Sequence, residues 1–139
     1  MNAEEIRVKS TIRWLRQVRK LDELINAKIA ERDQLFAMAT NITPNMDGMP
    51  HGSEVSDKVG NAAVRLADMA EEIDAQVDEF IAKRAEVIKA IEKLPPNQYG
   101  ALHRYYIQYM SWEEVAEDMG KSFAQVMRYR RKGVKNLSK

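Results

Sequence analysis

Two helix-start signatures lie eleven residues apart near the C-terminal end of the chain. Ser111 and Glu114 have the spacing of an S-x-x-E capping box, in which each side chain accepts a hydrogen bond from the other residue's backbone N–H. Ser122 and Gln125 repeat the pattern as S-x-x-Q. Gly120 lies between them, at the position where the end of a helix favours a residue with a left-handed backbone conformation, usually glycine. Since a short helix, a turn with glycine and a second helix make a helix-turn-helix, the sequence predicts one here.

The helix that is predicted to follow Ser122 carries positive charge without compensating acids. Its cations are Arg128, Arg130, Arg131, Lys132 and Lys135. The net charge of +1 hides a strong segregation, because residues 1–20 carry +4, residues 121–139 carry +7 and the residues between them carry −10. A segregated positive end is typical of an anion-binding surface. The sequence therefore predicts double-stranded DNA as the partner of this helix.

Composition excludes several classes of function. The chain has no cysteine, and its two histidines, His51 and His103, have no second histidine at ligand spacing. We therefore expect no metal site, no cofactor and no enzyme activity. No stretch approaches about 18 apolar residues and the N-terminus lacks a signal-peptide core, so we expect a cytoplasmic protein without a membrane span. Gly and Pro are sparse, at 6 and 4 residues, and no strand-like alternation occurs, which predicts an all-α fold.

Residues 1–94 have the pattern of two long helices, over about 4–41 and 56–93, joined by a loop at about 41–56 that is rich in turn formers. Apolar residues recur in each at steps of three and four. The first stripe is Ile12, Leu15, Val18, Leu21, Ile25, Ile29, Leu35 or Phe36, and Ala39; the second is Val59, Ala62, Leu66, Met69, Ile73, Val77, Phe80, Val87, Ile91 and Leu94. Helices of this length are typical of coiled coils, which predicts an antiparallel hairpin. Its stripes serve core packing, a homodimer interface, or both.

Residues 95–139 are predicted to form a trihelical head. Pro95 and Pro96 end the second long helix, and Asn97 is the predicted N-cap of a helix over about 98–109. The residues expected to face its core are Ala101, Leu102, Tyr105, Tyr106, Tyr109, Trp112, Val115, Met119, Val126, Tyr129 and Leu137. Because about 45 residues approach the lower size limit for independent folding, we expect the head to pack on the preceding helix.

The head resembles region 4 of bacterial sigma factors, which binds the −35 promoter element. The resemblance rests on Leu94-Pro95, Leu102, Tyr106, Ser111, Glu114-Val115-Ala116, Met119-Gly120, Ser122, Gln125-Val126, Gly133-Val134 and Leu137. With its helical N-terminal half and the pair Arg104-Tyr105, the whole chain is similar to phage-encoded regulators of this type, including the ArpU- and RinA-type activators of late genes. It departs from the pattern at Tyr129 and Arg130, where an aliphatic and an acidic residue are usual. The resemblance implies a phage or prophage transcription regulator in the cytoplasm of a bacterial host, with host RNA polymerase as a further candidate partner.

A recognition helix over about 123–135 would enter the major groove, where its N-terminal residues meet base edges. With Val126 and Tyr129 inward, the outward residues are predicted to be Ala124, Met127, Arg128 and Arg131, with Phe123 beside them. Arg128 is the candidate for a guanine contact, and Phe123 and Met127 contact thymine methyls or pack on the preceding helix. The residues assigned to phosphates are Lys121, Ser122, Arg130, Lys132 and Lys135. Gln125 either completes the Ser122 cap or reads adenine.

Three alternatives stay open at this stage. The first is a coiled-coil module that binds a protein partner and has an incidental basic tail. The second is a small-terminase-like DNA-packaging protein, which also combines a helix-turn-helix with coiled-coil helices. The third concerns Lys9, Arg13, Arg16 and Lys20, which recur on one face of the first helix. They are either a solvated face or a second contact with DNA or polymerase.

Overall fold

The computed structural model describes residues 1–41 and 52–139, which contain helices and no strand, and so confirms the predicted all-α fold. The helices are α1 (Ala3–Thr40), α2 (Gly52–Ile91), α3 (Pro96–Leu102), α4 (Trp112–Met119) and α5 (Phe123–Leu137), and a π-helical turn (His103–Ile107) continues α3. None of the described helices combines the length and the apolar character that a membrane span requires.

The starts of the two long helices follow local rules. The backbone N–H of Glu5 donates to Asn2 Oδ1 at 2.8 Å, so Asn2 caps the first turn of α1. α2 begins at Gly52, earlier than the predicted start at about residue 56. Adding a residue to an existing helix costs far less than starting one, which favours such extension. The predicted loop at about 41–56 falls largely on residues 42–51, which lie outside the described residues.

The chain divides into two compact units, and the first comprises Met1–Asp22 and Glu79–Lys139. Its main core joins both long helices to the C-terminal helices. The buried members of that core are Leu15, Val18, Val87, Ile91, Leu102, Tyr106, Ile107 and Val134. Fully burying one such side chain stabilises the fold by roughly 1.5–3 kcal/mol. The helices at 96–137 therefore share a core with α1 and α2, and the boundary predicted at residue 94 stays a prediction.

The second unit, Glu23–Asp78, contains the remaining parts of α1 and α2. Among the described residues of this unit, the buried apolar side chains are Ile25, Met69 and Ile73, which belong to the predicted apolar stripes. Lys28 Nζ lies 3.1 Å from Glu72 Oε2 and joins the two helices at the edge of this core. Phe36 is 58% exposed whereas Leu35 is half-buried, so Leu35 takes the inward position that the sequence left open between them.

The third helix differs from its predicted form. α3 begins at Pro96 with Pro95 as its N-cap, so the prediction that Asn97 is the N-cap was wrong. Proline suits the first helical position because the backbone N–H that it lacks has no partner there in any helix. The helix then widens into the π-helical turn and ends before Tyr109. In that turn the Gln108 N–H donates to the His103 carbonyl at 3.1 Å, a five-residue hydrogen bond that sequence periodicity does not predict.

Tyr109, between the π-helical turn and α4, has a φ of 62°, a left-handed conformation that large side chains seldom adopt. Contacts with α1 hold it there. The Arg19 guanidinium carbon lies 5.4 Å from the centre of the tyrosine ring, and the phenol hydrogen-bonds to Asp22. Burial and the Asp22 carboxylate raise the pKa of Tyr109 to about 12. The strained residue thus ties the start of the C-terminal region to α1.

Candidate nucleic-acid interface

The capping box predicted at the start of α4 is present. The Ser111 hydroxyl accepts a hydrogen bond from the Glu114 backbone N–H at 3.2 Å, and the Ser111 backbone N–H donates to Glu114 Oε1 at 3.4 Å. The helix ends at Gly120, which has a φ of 65° and a ψ of 36°. The Lys121 N–H then donates to the Ala116 carbonyl at 3.0 Å and satisfies a carbonyl that the helix end leaves open. Gly120 therefore turns the chain as its position in the sequence predicts.

The second capping box is also present, at the start of α5. The Ser122 hydroxyl accepts from the Gln125 N–H at 3.2 Å, and Gln125 Oε1 accepts from the Ser122 backbone N–H at 3.0 Å. This geometry confirms the capping role of Gln125, one of the two roles that the sequence left open. Two capping boxes with the same hydrogen bonds therefore mark the starts of α4 and α5, on either side of the turn through Gly120.

α5 packs one face against the rest of the first unit. Val126 is fully buried in a small cluster with Ala101, Val115 and Ala116. Gly133 is buried as well, and a Cβ placed on it would lie 3.0 Å from Leu102 Cδ1. This close approach explains why a glycine occupies the interior of an otherwise regular helix. The contacts fix the direction of α5 and determine which side chains remain outside.

The opposite face of α5 is exposed and basic. Among the residues that the sequence assigns to DNA, the exposed ones are Lys121, Ser122, Phe123, Ala124, Arg128, Arg131, Lys132 and Lys135. Phe123, at the first position of α5, is an apolar side chain that is 48% exposed. The face can donate several hydrogen bonds to an anionic partner. Lys135 Nζ is 3.3 Å from Glu4 Oε1, an exposed ion pair of the kind that contributes little to stability.

Besides Gln125, which caps the helix, two of the predicted contact residues do not lie on this face. Met127 was expected to point outward, but it is half-buried and packs against the Val126 cluster, because it borders the buried face of the helix. Arg130 was assigned to phosphate, but it lies four residues after Val126 and so on the same side of α5. It is half-buried, with its guanidinium carbon 5.3 Å from the centre of the Trp112 ring. Arg130 therefore supports α4 by a cation–π contact.

Side chains of the π-helical turn and α4 form a support that the sequence pattern did not predict. Arg104 Nε lies 2.6 Å from Asp118 Oδ2, and Arg104 Nη1 donates to the Gly100 carbonyl at 3.1 Å. Tyr105 stacks on Trp112 with ring centres 4.0 Å apart. The resemblance singled out Arg104-Tyr105, but no spacing rule connects Arg104 with a carboxylate fourteen residues later. These contacts hold α4 against the π-helical turn.

His103 lies in the π-helical turn, with its ring 5.3 Å from that of Tyr99. Partial burial lowers the pKa of His103 below its usual value, the charges of Arg84 and Arg104 lower it further, and Glu92 acts in the opposite direction. His103 therefore takes up a proton at a lower pH in the folded protein than in the unfolded chain. No group of three His, Asp or Glu side chains that could hold a metal ion occurs in the described ranges.

Stability should fall as the pH drops below about 6.5, because the unfolded chain then protonates His103 more readily than the folded chain. We expect His103→Gln to have a smaller loss of melting temperature between about pH 8 and pH 5 than the unchanged chain. Both tryptophans, Trp14 and Trp112, lie in the first unit, so their fluorescence follows the relevant unfolding. Equal pH profiles for the two proteins would contradict the lowered pKa.

A family model described as "Protein of unknown function (DUF1492)" matches residues 46–138, which is more than half of the chain. The chain belongs to the DUF1492 family. The DUF1492 match includes α2 and every later helix, and therefore both capping boxes, whereas α1 precedes it. No curated protein and no solved structure matches the chain.

Proposed function

We propose that this DUF1492 protein is a sequence-specific DNA-binding transcriptional regulator of phage or prophage origin. In this proposal α4, the Gly120 turn and α5 are the helix-turn-helix of a sigma region 4-like head, and α5 is the recognition helix. The observation that carries the proposal is the succession of two complete capping boxes around a left-handed glycine, followed by an acid-free helix with an exposed cationic face.

The distribution of charge supports the same function. The first unit has 18 Lys and Arg against 10 Asp and Glu, a net charge of +8, and the second has 4 against 11, a net charge of −7. A positive field concentrates a polyanion at the unit that contains α5 and accelerates their encounter. The acidic second unit would repel DNA, so the duplex is directed to the first unit.

The exposed face of α5 divides into residues that would read bases and residues that would bind phosphate. Phe123, Ala124 and Arg128 lie in its first two turns, the part of a recognition helix that meets base edges in the major groove. Arg128 supplies a fork of donors that fits guanine O6 and N7. Lys121, Arg131 and Lys132 flank this row and are placed for phosphates, which fix position without reading sequence.

The long helices belong to the proposal as an antiparallel hairpin. The contacts that support it are Trp14 Nε1 donating to Glu86 Oε1 at 3.3 Å in the first unit, and Lys28 with Glu72 in the second. From the first pair to the second, the residue number rises on α1, from Trp14 to Lys28, and falls on α2, from Glu86 to Glu72. Antiparallel helices pair in this way. The hairpin is the candidate interface for a homodimer, and host RNA polymerase remains the other proposed partner.

Binding to DNA fragments tests the function directly. A labelled pool of bacterial and prophage fragments should contain a few that bind far more tightly than the rest, and binding to all of them should weaken with salt. Because α5 alone offers about 3–6 phosphate contacts, log K should fall against log salt with a slope of about −3 or steeper. The absence of binding at low salt would exclude this function.

A further inference from the structure

A second cationic surface lies on the first half of α1. The "α1 basic stripe" consists of Lys9, Arg13, Arg16 and Lys20, whose steps of four, three and four residues place them on one face of the helix. All four side chains are exposed, whereas Leu15 and Val18 on the other side of α1 are fully buried. Together with Ile12 and Gln17, the four cations line one shallow groove.

No described carboxylate lies within ion-pair distance of the members of the stripe, whereas several cations elsewhere on α1 and α2 are paired. Lys28 and Arg65 both lie near Glu72, at 3.1 and 3.8 Å, and Lys83 lies 3.1 Å from Glu86. The acids near the start of α1 do not neutralise the stripe either, since Glu4 pairs with Lys135 of α5. Its four charges thus remain available to an outside partner.

The stripe belongs to the same compact unit as α5. Residues 9–20 lie in the first unit, whose net charge is +8, and the Ser138 hydroxyl at the end of α5 donates to Thr11 Oγ1 at 2.9 Å. The stripe occupies the side of α1 opposite the buried Leu15 and Val18. Residues 9 to 20 of a helix span about 16 Å, long enough to follow several phosphates.

The composition of the stripe favours a phosphate backbone over an acidic protein. Protein interfaces are enriched in aromatic residues and depleted in lysine at their centres, but this groove contains no aromatic side chain and is lined by Lys and Arg. Ile12 is its only aliphatic side chain and is already half-buried in the core. Lysine and arginine on flexible side chains, with little apolar surface around them, suit the DNA phosphate backbone. Its negative charge does not depend on the base sequence.

We infer that the α1 basic stripe is a second phosphate-binding surface for double-stranded DNA, which adds affinity without reading bases. The inference rests on the proposed function of α5, because both surfaces would contact one duplex. It extends that function by assigning a role to α1, which precedes the segment matched by the family model.

The test compares two variants of the full-length protein that lose four positive charges each. The stripe variant carries Lys9→Gln, Arg13→Gln, Arg16→Gln and Lys20→Gln. The matched control carries Lys28→Gln, Arg32→Gln, Lys58→Gln and Arg65→Gln, the four cations of the second unit. Circular dichroism first establishes that both are folded. Binding to a labelled random-sequence duplex of about 30 base pairs is then measured across a salt series.

The stripe variant should have a salt slope smaller in magnitude by about 2 to 4 than that of the unchanged protein, since each lost phosphate contact removes about 0.9. The control should keep the original slope, and the stripe variant should keep the original ranking of preferred sequences. An unchanged slope in the stripe variant, with the unchanged protein still binding, would overturn the inference alone and assign the stripe to solvent or a protein partner. Equal losses in both variants would overturn it too, because bulk charge would then explain the effect. Failure of the unchanged protein to bind would remove the proposed function itself.

Discussion

Replacement of Gly133 by valine is expected to lower the free energy of unfolding of the first unit by about 1–3 kcal/mol. Gly133 is buried where α5 approaches α3, and its added Cβ would lie 3.0 Å from Leu102 Cδ1 and 3.4 Å from Gln98 Cβ. Leu102 is fully buried and therefore has little room to move. The two further methyl groups of valine enlarge the clash and outweigh the gain of a few tenths of a kcal/mol in helix propensity.

Urea unfolding followed by tryptophan fluorescence measures this loss, because both tryptophans report on the first unit. Gly133→Ala should lose less, since one methyl requires a shift of only a few tenths of an ångström and alanine favours the helix by about 1 kcal/mol. Gly60→Val is the matched control on α2, where nothing lies within 4 Å of an added Cβ. Equal fluorescence midpoints for Gly133→Val and Gly60→Val would show that α5 does not approach α3 as described.

Features that depend on neighbouring residues were predictable from the sequence. Both capping boxes and the left-handed Gly120 involve residues at most a few positions apart, so their residue types determine the geometry with little help from the rest of the fold. The apolar stripes of α1 and α2 likewise identified Leu15, Val18 and Val87 as core residues. Apolar residues repeated at steps of three and four form one face of a helix, and that face packs against the core.

Features that depend on distant residues were not predictable. The π-helical turn at His103–Ile107 arises where the end of α3 must fit both α1 and α4, and Tyr109 keeps its left-handed conformation through contacts with Arg19 and Asp22 on α1. The pair of Arg104 with Asp118 also joins separate helices. None of these follows from propensity or spacing.

Two residues of α5, Met127 and Arg130, are less exposed than the sequence predicted. Met127 was placed on the outward face from the inward positions of Val126 and Tyr129, with packing on the preceding helix as the alternative, and Arg130 was assigned to phosphate as a cation. Their positions relative to Val126 decide otherwise, since residue 130 falls on the same side as residue 126 and residue 127 borders that side. Arg130 also stands where sigma-like heads usually have an acid, and its contact with the Trp112 ring gives that departure a structural role.

The fold brings together positive charges that lie far apart in the sequence. In sequence, the basic segments are the two ends of the chain, separated by a long acidic stretch. The first unit combines both ends with a part of α2, so its net charge reaches +8 although the protein as a whole has only +1. This combination places α5 and the α1 basic stripe in one compact unit of net positive charge.

The largest expected effect on DNA binding is that of Arg128→Ala. Arg128 is exposed on the side of α5 opposite Val126, and no described carboxylate pairs with it. Its guanidinium is therefore available for a bidentate contact with guanine in the major groove. Loss of that contact should weaken binding to the best fragment by about 1–3 kcal/mol, roughly 5- to 150-fold, and should relax the preference for one base pair. Fold stability should change by less than about 0.5 kcal/mol, because the side chain lies at the surface.

Lys132→Ala is the matched control, because Lys132 is also exposed on α5 and the proposed function assigns it to a phosphate. It should weaken all duplexes by the same factor and reduce the salt slope by about 1. Binding of both variants to a set of duplexes that each differ from the best fragment at one base pair separates the two effects. If Arg128→Ala lowers affinity equally for every duplex in the set, Arg128 contacts the backbone, and the reading of bases must depend on Phe123 and the other side chains at the start of α5.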